Sequence, residues 1–241
     1  MFEKTEKNEQ FNPTWRGMWF NENFIIRRII SEEIQKNSFY LSGKIMDYGC
    51  GSRPYEVFFP DSQYVGVDVS ISGHPQKDKK ADVYFDGETL PFEDCYFDGI
   101  LASEVLEHVM DLKKCLSELH RVIKPGGRIL ITCPFVWPIH EEPYDFARYT
   151  PYALAQEFEK SGFTIIKTDQ CGSPAEVLGQ IFIIEILPVL LRPFAINVRI
   201  YRWIRRFLMG MIVCISRLGF RNKSHTKKLY LTNLVVAEKL N

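Results

Sequence analysis

The run Lys44-Ile45-Met46-Asp47-Tyr48 passes without a spacer into Gly49-Cys50-Gly51. A second run, Tyr64-Val65-Gly66-Val67-Asp68, ends in another acid about twenty residues later. Two glycines at one strand end and an acid at the next describe the edge where an open α/β sheet holds a nucleoside. Glycine has no Cβ, so backbone there can approach a ligand closely. The second acid can accept hydrogen bonds from both ribose hydroxyls.

A dinucleotide fits this edge poorly. Its pyrophosphate needs a helix N-terminus and a third glycine where that helix packs, whereas this loop continues Ser52-Arg53-Pro54. Asp47, placed before the glycines, would repel pyrophosphate. It suits a ligand carrying an amine and a sulfonium, the chemistry of S-adenosylmethionine.

The rest of the chain is punctuated in the same α/β style. Phe24, Ile25, Ile29, Ile30 and Ile34 share one face of a helix over 23–35. Strands are expected at 44–48, 64–69, 81–85, 97–102, 128–133, 163–168 and 231–238. A helix runs from the N-cap Asp111 to Ile123 and ends at Lys124-Pro125-Gly126-Gly127, where Gly126 supplies the positive φ of a type II turn. Thr150-Pro151 caps another helix, which stops near Gly162. The alternation predicts a mostly parallel sheet with helices on both faces. Three segments follow: an N-terminal helix or lid over 1–40, a core over 41–172 and 229–241, and an apolar, basic insertion over 173–228.

At 241 residues the chain suits one such domain with an insertion. Its six cysteines show no CxxC or zinc spacing, which predicts buried thiols in a reducing, cytoplasmic setting. The polar N-terminus carries no secretory pattern. Zero net charge conceals an asymmetry: Ile186 to Ala237 holds ten Lys and Arg and no acid, leaving 20 basic against 30 acidic residues elsewhere. An anionic surface is the partner this implies.

Asp47-Tyr48-Gly49-Cys50-Gly51, Gly66-Val67-Asp68, Asp86 with Leu90-Pro91-Phe92, Phe97-Asp98, Glu104-Val105-Leu106-Glu107-His108-Val109 and Lys124-Pro125-Gly126-Gly127 occur in one order over 44–162. In this the chain resembles the class I S-adenosylmethionine-dependent methyltransferases of the type 11 small-molecule group. The resemblance implies a Rossmann-like seven-stranded sheet whose last strand is antiparallel and lies beside the sixth. It places the backbone of Gly49, Cys50 and Gly51, with Tyr48, against the methionine moiety, and Asp47 near its ammonium. Asp68 binds the ribose, Asp86 with Gly87 meets the adenine amine unless the pair is just a turn, and Ser103 and Glu104 line the methionine end. Arg53-Pro54 departs from the pattern and tilts the start of the helix expected there. His108 takes a supporting or capping role, and Cys133 that of a small buried hydrophobe.

After the fifth strand, residues 134–150 gather His140, the carboxylates Glu141, Glu142 and Asp145, Arg148 and five aromatics. Loops at this edge build the site in such sheets. The pattern His-x-x-Pro-x-Asp-x-x-Arg-Tyr-Thr is similar to methyltransferases associated with polysaccharide and glycolipid assembly. Methyl transfer to a hydroxyl needs a base, and His140 is the candidate, with Asp145 orienting it or holding a sugar hydroxyl. Trp137, Tyr144, Arg148 and Tyr149 are candidates for binding the acceptor. An Asp145–Arg148 pair that only fixes the loop is the competing reading. No metal is expected, since His140, Glu141 and Asp145 lack a ligand spacing. Trp15 and Trp19 read either as a lid or as packing of a helix.

The stretch from Ile181 is too short and too interrupted by Glu185, Pro188 and Arg192 to span a bilayer. Residues 197–211 are amphipathic: Arg199, Arg202, Arg205 and Arg206 on one face, Ile200, Ile204, Phe207 and Met211 opposite, Trp203 between. A membrane interface over 181–228, the domain itself or a second subunit would cover the apolar face. Nucleic acid fits poorly, because the basic residues lack interleaved aromatics. The sequence thus points to O-methylation of a sugar or lipid-linked saccharide, cytoplasmic or peripheral at the inner membrane face. A lipid or quinone-like acceptor, or a scaffold that only binds the cofactor, are the alternatives.

Overall fold

The computed structural model describes residues 10–73, 75–194, 197–218 and 228–240. Arg221, Lys223 and Lys227 of the basic segment lie outside them. The chain forms two compact units, Met1–Glu32 with Cys171–Leu231, and Glu33–Gln170 with Thr232–Asn241.

The second unit holds the sheet. Its strands are β1 (Lys44–Tyr48), β2 (Gln63–Val69), β3 (Val83–Phe85), β4 (Phe97–Ser103), β5 (Ile123–Pro134), β6 (Phe163–Cys171) and β7 (Thr232–Lys239), in the order β3-β2-β1-β4-β5-β7-β6. The first five pair in parallel and β7 runs antiparallel to β5. Strand order reverses at β1, which has β2 on one side and β4 on the other, so a crevice opens at their carboxyl ends.

Alternation along the strands buries both faces. Met46, Ile100, Ile129, Ile131 and Val235 pack with Leu116, Leu119, Leu154 and Phe158 in one core cluster. The last four come from the helices Leu112–Val122 and Pro151–Lys160. On the opposite face Ile45, Leu101, Leu130 and Val236 are fully buried as well. The expected caps form: Asp111 accepts from the Lys114 N–H, and Thr150 from that of Ala153. Residues 124–127 loop out within β5, shifting its register on β4. Gly127 is obligatory there, since a Cβ would sit 2.7 Å from Ile123 and 2.8 Å from the Lys124 carbonyl.

The expected helix after β1 does not form. A 3₁₀ turn, Glu56–Phe58, takes its place. Arg53 stands at positive φ (59°) and its guanidinium ties to Asp82, Glu56 and the Tyr64 carbonyl, which turns the chain out of a helical path.

In the first unit α1 (Phe24–Asn37, shared with the second unit beyond Glu32) buries Phe24, Ile25, Ile26, Ile29 and Ile30. Helix α4, Pro174–Ile181 (after α2, Leu112–Val122, and α3, Pro151–Lys160), starts with a capping box between Ser173 and Glu176. A π turn and the short helix α5 (Leu187–Leu190) lead to α6, Val198–Leu218. Gln180 locks α4 to the start of α1, accepting from the Ile26 N–H and donating to the Glu22 carbonyl. Trp15 packs on Phe24 beneath the guanidinium groups of Arg28 and Arg217, and Trp19 lies against Gly210. Met209 and Val213 of α6 are buried, while Ile200, Trp203, Phe207, Met211 and Ile215 form an exposed apolar stripe. No described helix is long and apolar enough to cross a membrane.

Candidate active site

The carboxyl edge of β1, β2 and β4 carries the expected residues. Gly49 (φ 73°) and Gly51 (φ 48°) turn the chain after β1, with the Gly49 and Cys50 N–H groups donating to the Val67 carbonyl. The two glycines serve different ends. A Cβ on Gly49 would meet Val105 at 2.5 Å, whereas one on Gly51 would meet nothing within 4 Å. Gly51 faces open space, where a ligand can lie against the backbone. The Tyr48 ring and the Cys50 thiol are buried in the protein, so these residues offer the site their main chain.

Asp47 is buried, and its Oδ2 accepts from the Tyr64 hydroxyl at 2.7 Å. Burial raises its carboxyl to about 7, against the pull of that hydrogen bond and of Arg53. Asp68 is buried too and already occupied. Its Oδ2 accepts from the Gly51 N–H at 2.9 Å, and its Oδ1 from the Val69 N–H and from Lys79 Nζ, both at 2.8 Å. Lys79 is itself buried. The pair lies at the position expected to meet a ribose. Asp86, exposed at the end of β3, accepts from the N–H groups of Glu88 and Thr89, which hold its carboxyl below the usual range. Gly87 follows at φ 89°.

At the end of β4 the Ser103 and Thr132 hydroxyls lie 2.9 Å apart, and Glu104 (φ 53°) accepts from the Thr232 hydroxyl at 2.8 Å. The next turn joins β4 to the loop over 135–150. The Phe146 N–H donates to the Glu107 carbonyl at 2.8 Å, and His108 Nδ1 lies 2.8 Å from the Tyr144 carbonyl. Glu107 is fully buried, which pushes its carboxyl well above the ordinary range, with Glu104 adding repulsion. The His108 and His140 rings meet edge to face at 4.9 Å.

His140 receives two contacts from one carboxylate: its backbone N–H (3.0 Å) and Nδ1 (3.1 Å) both reach Asp145 Oδ2. Burial, then the neighbouring His108, lowers its pKa below 6.5. Asp145 would be raised by burial, but Arg148 and the His140 N–H bring it to about 2. Arg148 grips both oxygens of Asp145 and donates its other N–H groups to the carbonyls of Trp137, Pro138 and Ala147. Its donors are therefore spent on the loop's own shape. Trp137 and Tyr144 are half-buried, and the carbonyl of half-buried Tyr149 accepts from Asn233 at 3.0 Å. Cys133 is fully buried, as a core thiol would be. Sequence reasoning gave Glu107 and Lys79 no role. Glu107 was visible as the Glu of a Glu-His pair, whereas Lys79 carried no local signal.

Residues 46–131 match the methyltransferase domain family. That span runs from β1 to β5 and includes the glycine turn, Asp68 and Glu107. An Arabidopsis thaliana tRNA (carboxymethyluridine(34)-5-O)-methyltransferase is 34% identical over 44% of this chain and 27% of its own length. A demethylmenaquinone methyltransferase of Symbiobacterium thermophilum is 29% identical over 41% of this chain and 45% of its own. The matched stretch spans less than half of either relative. Among solved structures, Haemonchus contortus phosphoethanolamine N-methyltransferase 2 in complex with S-adenosyl-L-methionine aligns with a TM-score of 0.52. It is 19% identical, covering 98% of this chain and 60% of that one, and so shares the fold.

Proposed function

We propose that this chain is a class I methyltransferase that moves the sulfonium methyl of S-adenosylmethionine to a hydroxyl oxygen of a sugar or lipid-linked saccharide. The observation that carries the reading is the open face of Gly51 beside buried Asp47 and Asp68, within the stretch that matches methyltransferase domains. Asp47 meets the methionine ammonium, and the ribose hydroxyls approach Asp68. Bound there, the cofactor would supply a sulfonium-activated methyl to the acceptor oxygen, with neutral S-adenosylhomocysteine as the leaving group. Catalysis is mostly alignment of these atoms.

The acceptor's proton goes to His140 Nε2. The Nδ1 contact to an ionised Asp145 puts the ring hydrogen on Nδ1 and leaves Nε2 as the basic nitrogen. Trp137 and Tyr144 line the acceptor side, and Arg148 holds the loop in place. A quinone-like acceptor is the second reading, favoured by the demethylmenaquinone relative and by the exposed apolar stripe of α6. The tRNA-directed relative matches over too little of its length for its substrate to carry over. The stripe, flanked by exposed Arg199, Arg202 and Arg206, suits the anionic inner face of a membrane, where a lipid-linked acceptor would be met.

Calorimetric titration with S-adenosylmethionine tests the cofactor, with NAD as control. Asp68→Ala would strand the buried Lys79 ammonium, so Asp68→Asn, checked by thermal melting, is the better variant. Micromolar binding lost in a folded Asp68→Asn protein supports the reading. Absence of binding, or a preference for NAD, refutes it.

A further inference from the structure

Three side chains converge beneath the acceptor loop: Glu107, His108 and His140. The Tyr144 carbonyl only accepts, so His108 carries a ring hydrogen on Nδ1 and turns its Nε2 toward Glu107 Oε1, 3.6 Å away. His140, whose Nδ1 donates to Asp145, turns its own Nε2 toward the same oxygen at 4.0 Å. One ligand atom from each of the three lies within 4.8 Å of the others. Glu107 is fully buried, and its Oε1 has no hydrogen-bond partner among the described residues. Glu141 Oε1 lies 3.6 Å from His108 Nε2 and makes the surroundings more acidic still. A buried carboxyl oxygen without a hydrogen-bond partner, set between two imidazole nitrogens, is a place for a shared proton or a metal cation.

We propose that Glu107, His108 and His140 form a binding site for a divalent first-row transition ion. Two imidazoles and one carboxylate suit zinc, manganese or ferrous iron, and three protein ligands leave positions open for water or an acceptor oxygen. Ligands about 2.1 Å from one ion stand roughly 3.0–3.4 Å apart, so the observed separations close by small side-chain rotations. Each imidazole already makes the hydrogen bond, through its other nitrogen, that orients a metal-bound histidine. The grouping differs from His140, Glu141 and Asp145, because Asp145 is engaged by Arg148 and by His140 Nδ1.

Only the catalytic consequence rests on the proposed methyl transfer. A bound ion would engage His140 Nε2 as a ligand in place of its role as base, and would supply Lewis-acid acidification of an acceptor hydroxyl.

Cobalt(II) titrated into the chelator-stripped full chain tests the site, read by visible d–d absorption and calorimetry. S-adenosylmethionine binding and thermal melting are measured on the same samples. One ion per chain is expected. Glu107→Gln and His108→Ala should each weaken it by more than the about 10- to 100-fold typical of losing a ligand's outer partner. His140→Ala, at a partly exposed ring, is the second route should Glu107→Gln melt early. No binding by the native chain, or binding indifferent to these changes, overturns the site and leaves a proton as the shared cation. A native chain that takes cobalt but not S-adenosylmethionine keeps the site and overturns the cofactor reading instead.

Discussion

Asp145 Oδ2 lies 3.1 Å from His140 Nδ1, and Arg148 holds the same carboxylate on both oxygens. The carboxylate therefore decides which nitrogen of His140 is free. His140→Ala should lower turnover by about 10²–10⁴-fold, the usual span for a positioned base, with cofactor affinity unchanged. Unchanged turnover would remove His140 from the reaction.

The pH profile follows from the same ring. Burial and His108 favour its neutral form. At saturating S-adenosylmethionine, kcat should hold through neutrality and fall as the pH drops through a value below 6.5. An acid limb centred above 6.5 in that kcat profile would contradict this.

Asp47 sets a second dependence. Its carboxyl is raised to about 7, so the free protein holds a proton there under acid conditions. An ammonium binds the ionised form, so cofactor affinity should fall about tenfold for each pH unit below that value. Calorimetry in buffers of different ionisation enthalpy should show one proton released at pH 6, and none in Asp47→Asn.

The two glycines after β1 should separate folding from binding. Gly49→Ala forces a Cβ to 2.5 Å from Val105 at positive φ and should cost about 1–3 kcal/mol in stability. Gly51→Ala touches no protein atom within 4 Å, so its main effect should be weaker cofactor binding. Melting and calorimetry on both variants read the contrast.

Arg53 is held at φ 59° by Asp82, Glu56 and the Tyr64 carbonyl. Arg53→Ala loses those contacts and keeps the backbone strain, whereas Arg53→Gly loses the contacts and the strain together. The glycine variant should be the more stable of the two by about 1 kcal/mol in urea unfolding.

Much of this was legible beforehand because it is local. The span of β1 was read residue for residue, and the Asp111 and Thr150 caps announce themselves within four residues of chain. The 3₁₀ turn after Gly51 was not, because it depends on Arg53 reaching Asp82 across 29 residues. The Lys79–Asp68 pair needs the loop after β2 to return on itself, and no periodicity records that. Glu107 stood in a quoted motif, yet its bare oxygen becomes visible only once two histidines from different loops face it.

The loop over 135–150, proposed to meet the acceptor, is bolted to the turn after β4 through main-chain atoms on its own side, the Phe146 N–H and the Tyr144 carbonyl. Neither attachment depends on which side chain those positions carry. Evolution could therefore exchange the loop's aromatic residues, and with them the range of acceptors, while the fastening stays the same. Descendants of one scaffold could diverge in what they modify without relearning how to hold the loop.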